Sequence, residues 1–324
     1  MIVDFHTHWY PEAFFKRVAE IGRPELAKAR TQANDLSARV DEMDSVGVDR
    51  QVLSFVGLNV EMADEPAAVE SARLLNDLYR DARDRYPGRF DQLVKVPLPW
   101  VDAGIAEAVR GIDELGAVGV ALPCSYSGHV LDDPAFDAFW AELDARGAIA
   151  FIHPVGEDSR GHWGMEQYGL DAMFGSPMQI GLAATRLVFS GVTKRFPNIK
   201  FLLAQGGGNL MSRWHAIESI LTLGLSGHVP AFLGWTKTLD LDAADLMSGF
   251  RGFYFDSAMM DTPATLILAR ETFGFDRMVV GSDTAFGSVA AIVNYVRGSE
   301  VLNDAEKTLI LETNSARLLG PARG

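Results

Sequence analysis

The sequence predicts an α/β protein of the (β/α)8 barrel class, and three observations carry that expectation. Short apolar runs alternate with amphipathic helical stretches along nearly the whole chain, the pattern of repeated βα units around a parallel sheet. Eight such runs can be counted. The length of 324 residues suits one closed barrel with insertions, so residues 1–324 are expected to form a single domain.

Taken in order, the strands are expected at Ile2–Phe5, Gln51–Phe55, Gln92–Pro97, Val118–Leu122, Ala148–His153, Lys200–Ala204, Phe253–Asp256 and Met278–Ser282. Runs such as Ala148–Ile152 are continuously apolar, as strands covered by helices on one face and a barrel core on the other must be. Helix starts are marked by Glu65-Pro66, Asp133-Pro134, Ser176-Pro177 and Thr262-Pro263, where a possible capping side chain precedes a proline whose missing N–H costs nothing in the first turn. Two stretches break the rhythm, residues 10–34 and 224–250, and both are expected to project from the carboxyl rim of the barrel as lids or substrate walls, or else as outer excursions or a dimer contact. No repeat of fixed period and no linker rich in Pro, Gly or Ser is visible.

His6-Thr7-His8 directly follows the first apolar run. On a strand, residues i and i+2 point the same way, so two imidazoles at this spacing can converge on one metal ion. Taken alone, the triplet reads as two surface histidines near the terminus. Two further residues change that reading: His153 ends the fifth strand and Asp283 follows the eighth. In a barrel the carboxyl ends of the strands meet at one mouth, so His6, His8, His153 and Asp283 are expected to share a divalent ion such as zinc. Separately, His153 would suit a backbone hydrogen bond and Asp283 a helix cap.

The net charge of −14 argues against nucleic acid or an anionic membrane as partner, because the phosphate interaction would be repulsive. One cysteine, Cys124, excludes an internal disulfide and a cysteine-based metal cluster and fits a reducing compartment. The first strand starts at Ile2 with no basic or long apolar segment ahead of it, so a cytoplasmic protein with a small-molecule substrate is expected.

Val3-Asp4-Phe5-His6-Thr7-His8, Phe151-Ile152-His153-Pro154, Gly206-Gly207-Gly208, Gly281-Ser282-Asp283 and Asn314-Ser315-Ala316-Arg317-Leu318-Leu319-Gly320 fall in an order that resembles the amidohydrolase superfamily from end to end. The resemblance is to the branch that contains aminocarboxymuconate semialdehyde decarboxylase and the resorcylate and vanillate-type decarboxylases. It implies one divalent ion, zinc or manganese, held by His6, His8, His153 and Asp283, and a homodimer. It also implies an arginine clamp for the substrate carboxylate, which falls on Arg39.

One position departs from the family pattern. Gln205 stands where the family usually carries a histidine after the sixth strand, and an amide can hold a metal-bound water but cannot titrate near neutral pH. An engineered change, a natural branch with altered chemistry, and a base supplied from elsewhere all account for it. His162 is the preferred substitute, with Glu157, Asp256 and His215 behind it, while Trp163, Phe174 and Trp235 offer walls for a flat substrate. The implied reaction is metal-dependent, non-oxidative decarboxylation of an aromatic or enol-type carboxylate. The alternatives are a metal-dependent hydrolase or hydratase in which Asp283 also accepts a proton, and a catalytically impaired variant.

Overall fold

The first apolar run forms β1, Val3–His8, six residues buried along their whole length. It is followed by β2 (Arg50–Ser54), β3 (Phe90–Lys95), β4 (Gly119–Pro123), β5 (Ile149–His153), β6 (Lys200–Leu203), β7 (Tyr254–Asp256) and β8 (Met278–Val279). The structure is a computed structural model and describes residues 1–28, 34–56, 62–126, 128–155, 164–225 and 241–320. The eight strands are hydrogen-bonded in chain order, every pair parallel. The ends of the sheet then meet through bridges between Asp4 and Val280 and between Thr7 and Thr284. The ring is a (β/α)8 barrel, as the sequence predicts.

All eight expected strands are present, the inner six within two residues of their expected limits, while the first and the last each end three residues away from theirs. β1 runs on through the H-x-H triplet, because the backbone of residues 5–8 is paired on both sides: Phe5 N–H donates to Val280 O at 2.9 Å, His6 O accepts from Asp283 N–H at 2.8 Å, and Thr7 and His8 are in register with Leu53 and Ser54. β8 stops at Val279, and the backbone turns left-handed at Asp283, φ 58°.

The buried carboxylate of Asp4 fastens this seam. Its Oδ1 accepts from Ser282 N–H at 3.0 Å, and its Oδ2 from Ser282 Oγ–H at 2.7 Å and Gln51 Nε2–H at 3.0 Å. Burial pushes the Asp4 carboxyl up to about 6 despite these bonds. From the far side, Asn314 donates Nδ2–H to Phe275 O at 2.7 Å and Met278 O at 2.8 Å, tying the closing helix Asn314–Leu319 to the start of β8.

Two of the four proline-marked helix starts cap as expected. Asp133 accepts from Ala135 N–H, and Thr262 forms a reciprocal box with Thr265. The other two are corrected. Asp64, not Glu65, caps the helix Glu65–Arg85, which places Pro66 at its second position. Ser176 caps nothing, because the helix Ser176–Phe189 continues from a wider turn over Asp171–Gly175. A proline is tolerated anywhere in a first turn that lacks acceptors for its N–H groups, so it fixes the cap only to within a residue.

The first excursion is partly a packed element. The helix Glu12–Glu20 buries Phe14, Phe15 and Val18, and Phe14 meets Phe55 at 4.7 Å between ring centres. Asn34 returns the chain to its origin, exchanging hydrogen bonds with Tyr10 N–H at 3.3 Å and Tyr10 O at 2.9 Å. Of the second excursion, residues 226–240 lie outside the described residues, and its end is the capped helix Ala243–Gly252 that leads into β7. Among the described residues no helix is long and apolar enough to cross a membrane.

Asp4→Ala strands the Ser282 and Gln51 donors in the seam and should lower stability by on the order of 3 kcal/mol. Urea unfolding reads this as a lower midpoint, and an unshifted midpoint would show that the seam closes without Asp4.

Candidate metal centre

His6 and His8 lie two residues apart on β1 and turn their side chains to one place. His153 ends β5, and Asp283 is carried to the same mouth by the turn after β8. The structure brings all four sequence-identified donors together: one ligand atom from each of His6, His8, His153 and Asp283 lies within 4.8 Å of every other. The three histidines are buried, and the Asp283 side chain is 15% exposed, so the cluster opens to solvent on the Asp283 side.

The hydrogen bonds on the outer nitrogens set the tautomers. His6 Nδ1 lies 2.7 Å from Asp256 Oδ2, and a carboxylate there can only accept. His153 Nδ1 lies 2.7 Å from the carbonyl of Pro154, which also only accepts. His8 Nδ1 lies 3.2 Å from Ser54 Oγ, whose own proton goes to Thr7 O at 2.9 Å. All three rings are therefore protonated at Nδ1 and turn Nε2 inward.

This arrangement is electrostatically incomplete by itself. The Nε2 atoms of His6 and His8 face each other at 3.2 Å, and Asp283 Oδ1 stands 3.2 Å from both. His153 Nε2 and Asp283 Oδ1 are buried with no hydrogen-bond partner among the described residues. Buried acceptors pointed at one another are costly unless a cation lies among them. Three imidazoles and a carboxylate converging at the open end of a barrel fit a single divalent ion.

Within the cluster a proton can take the place of that ion. Burial pushes His6 down, but the charges of Asp256 and Asp283 outweigh it and hold His6 up at about 10. Burial lowers His8 and His153. For Asp283, burial pushes the carboxyl up, yet the charge of His6 and the contacts with His6 and His8 win and hold it well below the usual carboxylate range.

The turns around the cluster require their unusual residues. A Cβ on Gly281 would lie 2.6 Å from Asp256 Cβ and 2.9 Å from His6 Cβ. A Cβ on Gly208, φ 62°, would lie 2.4 Å from Pro177 O. Asp283 and Gln205 are themselves left-handed, at φ 58° and 51°, a strain that non-glycine residues hold where the surroundings impose it.

Gln205 lies beside the cluster, where its Nε2–H group donates to Asp283 Oδ2 at 3.4 Å. Arg39 is placed differently from the clamp expected. It sits on the inward stripe of the helix Leu36–Val46 with Leu36, Met43 and Val46, is 2% exposed, and donates Nη2–H to the carbonyl of His8. Burial lowers its guanidinium to about 10. Asp256 is also buried, behind His6, and does not face the mouth. His215 is exposed on the helix Leu210–Leu225, and Phe174 is exposed on the turn before the helix Ser176–Phe189. His162 and Trp163, with Glu157 and Trp235, lie outside the described residues.

Sequence reasoning did not single out Ser54 or the Pro154 carbonyl as partners of the ligands, although each sits at a strand end beside one. It also passed over Phe286, three residues after Asp283, which is 67% exposed with its ring 6.0 Å from that of His8. An apolar cavity of about 750 Å3 opens beside the helix Ser176–Phe189, lined by Cys124, Met178, Leu182, Leu210 and Ile217, and contains none of the four donors.

The sequence profile of the Amidohydrolase family matches residues 3–320. Among curated proteins, the 6-methylsalicylic acid decarboxylase of Penicillium expansum is 27% identical over 313 residues, 94% of this chain and 91% of that protein. The 2-amino-3-carboxymuconate-6-semialdehyde decarboxylase of Dictyostelium discoideum is 35% identical over 179 residues, a match that spans 54% of this chain and about half, 48%, of that protein. Among solved structures, the 5-carboxyvanillate decarboxylase of Novosphingobium aromaticivorans, complexed with manganese and 4-hydroxy-3-methoxy-5-nitrobenzoic acid, superposes with a TM-score of 0.84 at 19% identity, over 98% of this chain and 96% of that one. At that identity the likeness is one of fold.

A bound ion must displace the proton that the raised His6 carries through neutral pH. Affinity for a divalent ion should therefore rise about tenfold per pH unit from about pH 6 to about pH 8. Competition titrations with a chromophoric chelator measure this, and a flat profile would show that no proton leaves.

Proposed function

This chain belongs to the amidohydrolase family, and from that premise we propose that it is a metal-dependent, non-oxidative decarboxylase of an aromatic carboxylate. The observation that carries the reading is the meeting of three inward Nε2 atoms and a carboxylate oxygen at the barrel mouth. The names of the two curated relatives support the same reaction class.

When bound, the ion supplies a Lewis acid and a template for the substrate carboxylate and a neighbouring oxygen. In this reading His6, His8 and His153 hold it through Nε2 and Asp283 through Oδ1. The donor set favours zinc, and manganese, carried by the carboxyvanillate enzyme, is the ion to compare with it. Substrate approaches over Asp283, the one partly exposed member of the cluster. The Gln205 amide keeps Asp283 turned by holding its second oxygen. Arg39 braces the carbonyl of His8 and so steadies the end of β1. Phe286 presents an exposed flat face beside His8, against which an aromatic ring packs.

The proton that replaces carbon dioxide at the ring carbon needs a titrating group, and Gln205 is not one. Among the described residues the remaining imidazoles are His129, paired with Asp133, and His215 on an exposed helix face. We assign that proton to His162, with Trp163 beside it as a substrate wall, on their sequence position after β5 alone. Hydrolysis is the second reading, favoured by Gln205. It asks Asp283 to accept the proton of a metal-activated water.

We further propose one domain over residues 1–324, a cytoplasmic location consistent with the single cysteine, and a homodimer. Exposed Met173, Phe174 and Leu182 offer an apolar face to a second copy. Sedimentation velocity tests the dimer, and a monomer at micromolar concentration would exclude it.

The protein loaded with zinc or manganese should release one carbon dioxide for each molecule of a hydroxybenzoate or related acid consumed. Product with an unchanged carbon count would overturn the reading. Asp283→Asn should lower both ion affinity and kcat/KM, by about a hundredfold or more. With the proton assigned to His162, Gln205→His should leave the decarboxylation rate nearly unchanged, and a gain of about a hundredfold or more would show instead that the titrating group is missing at residue 205.

A further inference from the structure

Asp256 ends β7 with no solvent exposure, and both of its oxygens are engaged. Oδ2 faces His6 Nδ1 at 2.7 Å, while Oδ1 accepts from the backbone N–H of Gln205 at 2.9 Å and of Ala258 at 3.0 Å. Gly281 leaves the slot in which the carboxylate sits, since a Cβ there would come within 2.8 Å of Asp256 Cγ. A buried carboxylate is retained only where hydrogen bonds compensate it, and these three bonds lead to different parts of the metal centre.

We infer that Asp256 is a positioning residue that sets two parts of the centre at once: the tautomer of His6, and the left-handed backbone of Gln205 from which the Gln205 amide reaches Asp283. The inference rests on the metal-dependent reading above and deepens it. Through Oδ2, Asp256 fixes the His6 proton on Nδ1 and keeps Nε2 free to bind. Through Oδ1 it holds Gln205 N–H in the conformation with φ 51° that brings Nε2 of the same residue to 3.4 Å from Asp283 Oδ2. One carboxylate thereby links a ligand on β1 to the group that orients the ligand after β8.

The choice of carboxylate over amide is what makes this testable. In Asp256→Asn, the side-chain oxygen has to face the Gln205 and Ala258 N–H groups, because an NH2 there would oppose two donors. The NH2 is then left facing His6 Nδ1, which must become the acceptor, and the proton moves to Nε2, where it blocks the ion. The size and the two backbone bonds of Asp256 are preserved.

The experiment compares the full-length parent with Asp256→Asn, both stripped of metal. It measures zinc affinity by chelator competition, the visible absorption of the cobalt(II) form, and the cooperativity of thermal unfolding. The expected result is a variant that unfolds as cooperatively as the parent but binds zinc about 10- to 100-fold more weakly, with an altered cobalt(II) spectrum. Undiminished zinc affinity with a parent-like spectrum would overturn the inference while leaving the functional reading standing. A parent that takes up no ion would overturn both. If the variant fails to fold, nitrogen-15 NMR of the histidine-labelled zinc-loaded parent decides: His6 must show a protonated Nδ1 and a zinc-bound Nε2, and the opposite arrangement overturns the inference.

Discussion

The metal centre depends on the closure of β8 against β1. Asp283 and the two histidines of β1 are separated by most of the chain, and they meet because the backbone of His6 accepts from Asp283 N–H while Phe5 donates to Val280. A slip of one residue at this seam would turn His6 and His8 out of the barrel interior. Burial alone cannot prevent such a slip, because β1 is buried along its whole length. Asp4 supplies the discrimination. Its carboxylate finds Ser282 and Gln51 only in the observed register, and another register would leave the buried carboxylate with the local His6 N–H alone.

Once the ring is closed, each histidine is held by a different neighbour: His6 by Asp256 on β7, His8 by Ser54 on β2, and His153 by the carbonyl that follows it. These bonds all fall on Nδ1 and all face outward. They force unsatisfied acceptors into the middle, at the expense of stability in the ion-free protein, and hold them there with left-handed backbone at Asp283 and Gln205. The convergence of the ligand atoms is thus built in by well-satisfied contacts around them, which is how a rigid scaffold prepares a site for a cation.

Much of this was legible in the sequence. Eight apolar runs became the eight strands in order, and the four donors picked by their strand-end positions converged. Periodicity in a parallel barrel is a robust signal, because helices cover every strand. Directions of side chains on helices were less legible. The resemblance makes Arg39 a clamp for the substrate carboxylate, yet the 3.6-residue period places it on the same stripe as Leu36 and Met43 and turns it inward. The outer hydrogen-bond partners were also hidden, since Ser54 and Asp256 carry no pattern of their own. They are recognisable only once strands far apart in sequence stand side by side.

Gln205 shows which features of the site depend on residue identity and which on backbone. Its conformation is imposed from both sides: Asp256 holds its N–H, and the three glycines after it make a turn that admits no side chains, with Gly207 and Gly208 closed off by Phe255 and by Pro177 O. The direction in which residue 205 points is therefore fixed before its side chain is chosen. An amide in that direction can donate to Asp283 and hold it, and an imidazole would sit in the same place with the added ability to titrate. The scaffold fixes where a group meets the metal centre, and the single side chain at 205 determines whether that group can move a proton.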